Sequence, residues 1–381
     1  MNDSANFGGR EVTVVCAADD LYALPLAVSI RSALDTLDPE RTLRLLVLDG
    51  GLSARSRKRC LESWRHPGFR VEWISPERSA IADLRGSHHV TSSCYLRLLM
   101  DRLLPEDAGR VIYLDVDVVV RQDLGRLLDV PFGDWIALAV PDAGAPRLDA
   151  EIGLPSYHRC AAFLVTTRPV PNYRELGLDP AGAYFNSGLM VIDVDRWRRS
   201  QIGPRCLDVL RRHKQHVVWW DQYALNVVLA GQWGELDPRW NQGAHVYAYP
   251  DWSESPYDRE TFDRLRRDPW IIHYCSPAKP WHHGCAHPLA GEFRAVVNRT
   301  AWRGWRPPAL ASSWRAWWGV LAGHPAIDHL VRLPRGWLKS PRGRSGLARR
   351  EGVPSRRAVV PHAAAHSAAA GSSISFTEKS S

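Results

Sequence analysis

Arg110-Val-Ile-Tyr-Leu-Asp-Val-Asp-Val-Val-Val120 is an apolar run interrupted only by two carboxylates, Asp115 and Asp117. Val111, Ile112, Leu114, Val116 and Val118 to Val120 read as a strand buried on both faces, as in a parallel sheet covered by helices. Residues i and i+2 of a strand project to one side, so the two carboxylates face the same way and repel. Desolvating a bare carboxylate costs several kcal/mol, and a divalent cation at the strand end would offset that. The bland alternative ends the strand near Leu114 and leaves the aspartates as solvated turn residues. Against it, Val118 to Val120 resume the apolar run at once.

The surrounding chain alternates strands with helices. Glu11-Val-Thr-Val-Val-Cys-Ala-Ala-Asp-Asp20 is an apolar run ending in two acids, followed by Tyr22 and a helical pattern in Leu26, Ile30 and Leu34. Leu43 to Leu48 and Phe69 to Ile74 give two more strands, with a basic helix around Ser53 to Trp64 between them. This order predicts an α/β fold with a mainly parallel, doubly wound sheet whose ligands bind beyond the strands' carboxyl ends. Asp19, Asp20, Asp115 and Asp117 all fall at such ends, which points to one shared polar cleft.

Thr91 to Met100 reads as a capped helix in which Arg97 is the lone charge; it either snorkels to solvent or faces a buried anion. Trp135 to Val140 is a strand closing on Pro141 and Asp142. From Ala143 to Gly182 the pattern weakens, as in lids and acceptor-binding loops. Ala183 to Asp193 is a strand with Asn186 and Gly188 near its start, and such a glycine marks either a close approach or a bulge. Trp219 to Leu229 is helical, with Asp221 as a candidate N-cap and Gln222 in the first turn. Trp270 to Trp281 runs from a short strand into a Pro-rich loop carrying His273 and Lys279; a lone histidine there is more often a core residue than a ligand. Cys275, His282, His283, Cys285 and His287 invite a zinc reading, yet their spacing matches no common finger or ribbon.

The chain has 381 residues, a formal net charge of +8, seven scattered cysteines without a CxxC pair, and 17 tryptophans. The charge favours anionic partners, and the cysteine pattern suits reduced thiols in a cytosolic setting. No secretory signal is apparent at the N-terminus, and no apolar run approaches the ~20 residues of a membrane span. Beyond residue 287, Trp302, Trp305, Trp314, Trp317 and Trp318 interleave with Arg299, Arg303, Arg306 and Arg315. This predicts either an interfacial helix on anionic lipid or a stripe packed onto the core. Residues 340–381 are rich in Arg, Ala, Ser and Gly, a disorder-prone composition. No nucleic-acid module accompanies the Arg-Trp pattern. The expected organisation is 1–287, a catalytic domain; 288–339, a basic Trp/Arg segment; and 340–381, a low-complexity tail.

Six stretches together resemble glycosyltransferase family 8, in particular its bacterial lipopolysaccharide galactosyl- and glucosyltransferases: Cys16-Ala-Ala-Asp-Asp-Leu-Tyr22, Tyr95-Leu-Arg97, Tyr113-Leu-Asp-Val-Asp117, Phe185-Asn-Ser-Gly188, Trp220-Asp-Gln222 and His273-Tyr-Cys-Ser-Pro-Ala-Lys-Pro-Trp281. The resemblance implies a GT-A-like fold, a UDP-hexose donor, a saccharide acceptor of lipopolysaccharide or another glycolipid, and Mn²⁺ or Mg²⁺ held by Asp115, Asp117 and His273. It further implies that Lys279 lies on the diphosphate, with Val116 and Ser276 beside the donor. Ala17, Ala18, Asp19 and Tyr22 would form the uracil and ribose shelf, and Arg97, Asp142, Asn186, Asp221 and Gln222 would hold the sugar. Family members retain anomeric configuration. Gln222 stands where a nucleophile would be needed for double displacement, and an amide is a poor one, so front-face transfer steadied by Asp221 or Gln222 is expected. Leu21, Ser187, Tyr223 and Ser276 depart from the family's usual residues. The Trp/Arg segment resembles a membrane-associating tail, implying a peripheral enzyme at the cytoplasmic face of the plasma membrane. Two alternatives are a haloacid-dehalogenase-like phosphatase, which also uses Asp-x-Asp, and a catalytically silent membrane-surface adaptor.

Overall fold

Glu11–Ala18 (β1), Thr42–Asp49 (β2) and Phe69–Ile74 (β3) are the first three strands. In the computed structural model, which describes residues 11–84 and 92–307, they run parallel in the order β3-β2-β1. β1 and β2 are buried on both faces, as their continuous apolar runs require, with the helix Ala23–Asp35 covering one side, whereas β3 at the edge is only partly buried. Arg110–Leu114 (β4) adds parallel to the other edge of β1. After Val118–Val120 (β5) and Ala137–Pro141 (β6), Phe185–Asp193 (β7) enters antiparallel between β4 and β6, and Trp233–Glu235 (β8) closes the far edge beside β6. The seven-stranded order is β3-β2-β1-β4-β7-β6-β8.

The opening stretch is not one strand. β4 stops at Leu114, and Asp115 extends the pairing by one hydrogen bond, donating its N–H to Gly188 O at 2.8 Å. The chain then crosses to a second sheet, where β5 pairs antiparallel with Ile271–His273 (β10), itself parallel to Gln242–Gly243 (β9). The expectation of a strand continuous through both aspartates is corrected, because carboxylates cannot sit in a doubly covered ladder without partners. The alternative is only half right, since the aspartates span the gap between the sheets and are largely buried.

Two local expectations also change. Asp221 lies inside the first turn of the helix Trp220–Val228 and does not cap it; its carboxylate faces inward to Arg97. Ser92–Leu99 is a 3-10 helix that becomes α-helical only over Met100–Leu103. Gly188 satisfies both of its readings. A Cβ there would lie 2.3 Å from His273 Cε1, and the β6–β7 register shifts beside it. The irregular 143–182 segment holds two short α-helices, Ala150–Gly153 and Tyr157–Cys160, and a 3-10 turn, Ala161–Phe163. Ala143, Ala150, Leu154 and Cys160 share a small core with Val246, Tyr249, Phe262 and Leu265.

Among the described residues, no helix is long and apolar enough to cross a membrane. The helix Ala290–Val297 buries Phe293, Val296 and Val297 in the main core, as does Trp302 further on, so the core continues past residue 287. The guanidinium of Arg59 stacks over Trp302 at 4.0 Å, and its NH2 donates to Ala301 O at 3.1 Å. Trp314, Trp317, Trp318 and the 340–381 tail lie outside the described residues. Trp302→Ala is expected to lower unfolding free energy by about 3 kcal/mol in urea titrations, as removal of a buried aromatic does; a change under about 0.5 kcal/mol would place Trp302 outside the folded core.

Candidate active site

A cavity of about 460 Å³ opens beyond the carboxyl ends of β1, β4 and β6, where an open α/β sheet binds its ligands. Every site residue expected from the sequence lines it. Ala17, Ala18, Asp19 and Tyr22 come from the end of β1 and the turn after it. Asp115, Val116 and Asp117 come from the β4–β5 crossing, and Asp142 from the end of β6. Asn186 stands at the start of β7, Asp221 and Gln222 in the helix Trp220–Val228, and His273, Ser276 and Lys279 at and beyond β10.

One end of the cavity is a cluster of compensated charges. Asp117 Oδ2 accepts from Lys279 Nζ at 2.6 Å, and Oδ1 lies 3.2 Å from His273 Nε2. Lys279 also donates to Tyr274 O at 2.7 Å. Burial alone would raise the Asp117 carboxyl, but Lys279 and His273 outweigh it and hold it far below the usual carboxylate range. Burial likewise opposes protonation of His273, and Asp117 overrides this, lifting the imidazole to about 9. Arg97 does not snorkel. Its NH2 donates to Asp115 Oδ1 at 2.7 Å, its Nε lies 3.0 Å from Asp221 Oδ2, and its NH1 donates to Ser187 O at 2.7 Å. The guanidinium also lies over the Tyr113 ring at 4.2 Å. Arg97 is shared between two carboxylates, and burial of Asp221 outweighs its attraction, so the Asp221 carboxyl rises to about 6.

The other end is a hydrogen-bonded row. Ser187 N–H donates to Gln222 Oε1 at 3.0 Å, and Gln222 Nε2 donates to Asp142 Oδ2, also at 3.0 Å. Asn186 Nδ2 reaches the same Asp142 oxygen at 2.9 Å. Gln222 therefore has both ends of its amide engaged.

Sequence reasoning missed Asn241 and His245. Asn241 hydrogen-bonds His273 Nδ1 at 2.8 Å; only its place at the edge of β9, paired with β10, brings it there. His245 lies against Cys275, Nδ1 to Sγ at 3.8 Å. Burial pushes this imidazole down and this thiol up, and their attraction outweighs both effects, to about 9 and about 7. The zinc reading is not supported. Among the described residues, the set of three or more His, Cys, Asp and Glu side chains whose ligand atoms converge is Asp115, Asp117 and His273, within 4.8 Å. Two carboxylates and an imidazole form a mixed oxygen and nitrogen donor set suited to a hard divalent cation such as Mn²⁺ or Mg²⁺, and the residues present fit such an ion.

The mainly parallel α/β sheet with an acidic pair and an imidazole at its cavity is GT-A-like. The solved structure of galactosyltransferase LgtC, in complex with donor and acceptor sugar analogs, matches it at a TM-score of 0.62 and 26% identity, covering 80% of this chain and 99% of that one. The family model Glycosyl transferase family 8 matches residues 13–285, and the chain belongs to that family. Its relatives include General stress protein A of Bacillus subtilis (strain 168), 29% identical over 78% of this chain and 96% of that protein. Another is the lipopolysaccharide 1,3-galactosyltransferase of Salmonella typhimurium, 23% identical over 74% of this chain and 77% of that protein. Family membership sets aside the phosphatase reading of Asp-x-Asp, as does the strand order, because three strands precede the motif.

Asp221 gives a pH signature in the metal-free protein. Its folded-state pKa, about 6, exceeds its ordinary value of 3.8, so the native state binds more protons between these values and stability falls as pH rises through that window. Asp221→Asn removes this slope. Urea titrations at pH 4.5 and 7 are expected to show the wild type losing about 2 kcal/mol relative to the variant on going to pH 7; equal losses in the two proteins would contradict the assignment.

Proposed function

We propose that this chain is a retaining hexosyltransferase that moves galactose or glucose from a UDP-sugar to a saccharide of lipopolysaccharide or another glycolipid. The observation that carries the reading is the convergence of Asp115, Asp117, His273 and Lys279 at one end of a cavity whose other end is lined by Asp142, Asn186 and Gln222. A leaving group that gains charge as its bond breaks needs fixed cations at the first end. A sugar with several hydroxyls needs oriented donors and acceptors at the second.

Asp115, Asp117 and His273 would hold Mn²⁺ or Mg²⁺. When bound, the ion supplies charge stabilisation to the departing diphosphate. Lys279 adds a second positive charge on the diphosphate side, and Val116 and Ser276 line that part of the cavity. Ala17, Ala18, Asp19 and Tyr22 form the shelf for uracil and ribose. Arg97, Asp142, Asn186 and Asp221 serve the sugar. The carboxamide of Gln222 supports front-face transfer, because its oxygen is engaged by a backbone N–H and an amide attacks poorly. The departing phosphate oxygen then takes the acceptor's proton, and Asp221 or Gln222 steadies the sugar as charge develops on it.

The experiment is a panel of UDP-sugars scored for released UDP, with Mn²⁺ and with a chelator. UDP-galactose or UDP-glucose is expected to turn over only with the metal. Asp117→Ala is expected to lower turnover at least about a hundredfold with the fold intact by circular dichroism. Undiminished activity in that variant would remove the metal assignment, and saturable UDP binding without turnover in the wild type would favour the silent adaptor.

The lipid-linked acceptor and the peripheral, cytoplasmic-face location rest on the sequence pattern of Trp314, Trp317 and Trp318 around Arg315, because Trp302 packs into the core. Co-sedimentation with vesicles containing anionic lipid should fall when the chain is ended before residue 308. Equal sedimentation of the two chains would discard the tail's role.

A further inference from the structure

Three side-chain amides, Asn241, Asn186 and Gln222, and the Asp142 carboxylate form a continuous line from His273 to Gln222. Its direction can be derived, because two of its bonds come from backbone N–H groups, which cannot act as acceptors. Gly188 N–H donates to Asn186 Oδ1 at 3.0 Å. That fixes which end of the Asn186 amide is oxygen, so its nitrogen must face Asp142. Asn241 also approaches Asn186 Oδ1, at 3.0 Å, and can do so only as a donor through Nδ2. The oxygen of Asn241 is thereby turned to His273 Nδ1 at 2.8 Å. An oxygen there requires hydrogen on Nδ1, which in the neutral ring leaves the lone pair on Nε2, the nitrogen facing Asp117.

We infer that Asn241 is a positioning residue that sets the tautomer and orientation of His273 for the metal and ties that setting to Asn186 and Asp142 on the sugar side. The inference rests on the reading of His273 as a metal ligand and of Asn186 and Asp142 as sugar-binding groups. Asn241 is buried, lines neither end of the cavity, and has its side chain engaged on both sides by other site residues. A buried amide with these two partners links two groups that lie 32 and 55 residues away from it in sequence. Gly188 completes the arrangement, because only a residue without a Cβ lets the imidazole lie against β7.

Two substitutions separate the two legs. Asn241→Asp keeps an oxygen for His273 Nδ1–H but sets a second acceptor against Asn186 Oδ1. Asn241→Ala removes both contacts. Mn²⁺ affinity is read by electron paramagnetic resonance, and affinities for UDP and for UDP-hexose are read separately in the presence of Mn²⁺. Asn241→Ala is expected to weaken Mn²⁺ binding about 10- to 100-fold, whereas Asn241→Asp binds it at least as tightly as the wild type. Asn241→Asp is expected to bind UDP as the wild type does and to bind UDP-galactose or UDP-glucose about tenfold more weakly. A purely structural role would weaken metal binding in both variants or in neither, and either result overturns the inference. If Asn241→Ala does not fold, Asn241→Asp still decides: loss of Mn²⁺ binding, or wild-type affinity for the UDP-hexose, overturns it. A wild-type protein without affinity for Mn²⁺ would overturn the underlying metal reading, and this inference with it; a metal-binding wild type with an indifferent Asn241→Ala overturns this inference alone.

Discussion

The constraint on which the site depends is the withdrawal from water of three carboxylates, the largely buried Asp115 and Asp117 and the buried Asp221. Each would be intolerable alone in a low-dielectric interior. Arg97 stands between Asp115 and Asp221, while Lys279 and His273 stand against Asp117. Removing any one cation leaves an uncompensated charge, so the arrangement requires a 3-10 helix, a sheet crossing, an α-helix and a late loop to arrive together.

The two-sheet architecture makes that arrival possible. β4 ends where the large sheet can no longer accept a charged residue, and β5 begins where the small sheet can receive Val118 to Val120. The aspartates occupy the three-residue step between them. Because β10 pairs with β5, His273 is brought opposite Val118, next to the acidic pair. Because β9 pairs with β10 on its other side, Asn241 comes up beside His273. His273 and Asn241, which the proposed function sets beside the metal, are thus placed by strand register, which suits a reaction that depends on positioning.

Much of this was legible in the sequence where periodicity and charge conflict. The apolar run around Asp115 and Asp117 announced charges needing a partner, the acids after β1 pointed to a polar cleft at the strand ends, and Arg97 among leucines left open whether it met solvent or a buried anion. The order of strands and helices gave the sheet, and short motifs placed His273 and Lys279 by resemblance. The break between β4 and β5 was not legible, since Val118 to Val120 look alike whether they continue one sheet or begin another. Asn241 and His245 carried no local signal, because an asparagine after tryptophan or a histidine after alanine is ordinary until pairing with a distant strand gives it a neighbour. Asp221 was read as a cap for the same reason: a helix start predicts an acid, and only the tertiary structure supplies the buried arginine that turns it inward.

The compensated cluster also gives the site two ways of neutralising the same acids, by side-chain cations or by a divalent ion that the donor set fits. The most direct test is a crystal soaked with Mn²⁺ and UDP and measured at the manganese absorption edge. The account predicts an anomalous peak bounded by Asp115, Asp117 and His273 Nε2, with the diphosphate on its open side. A manganese peak elsewhere, or UDP bound in the cavity with no peak between those three residues, would contradict it.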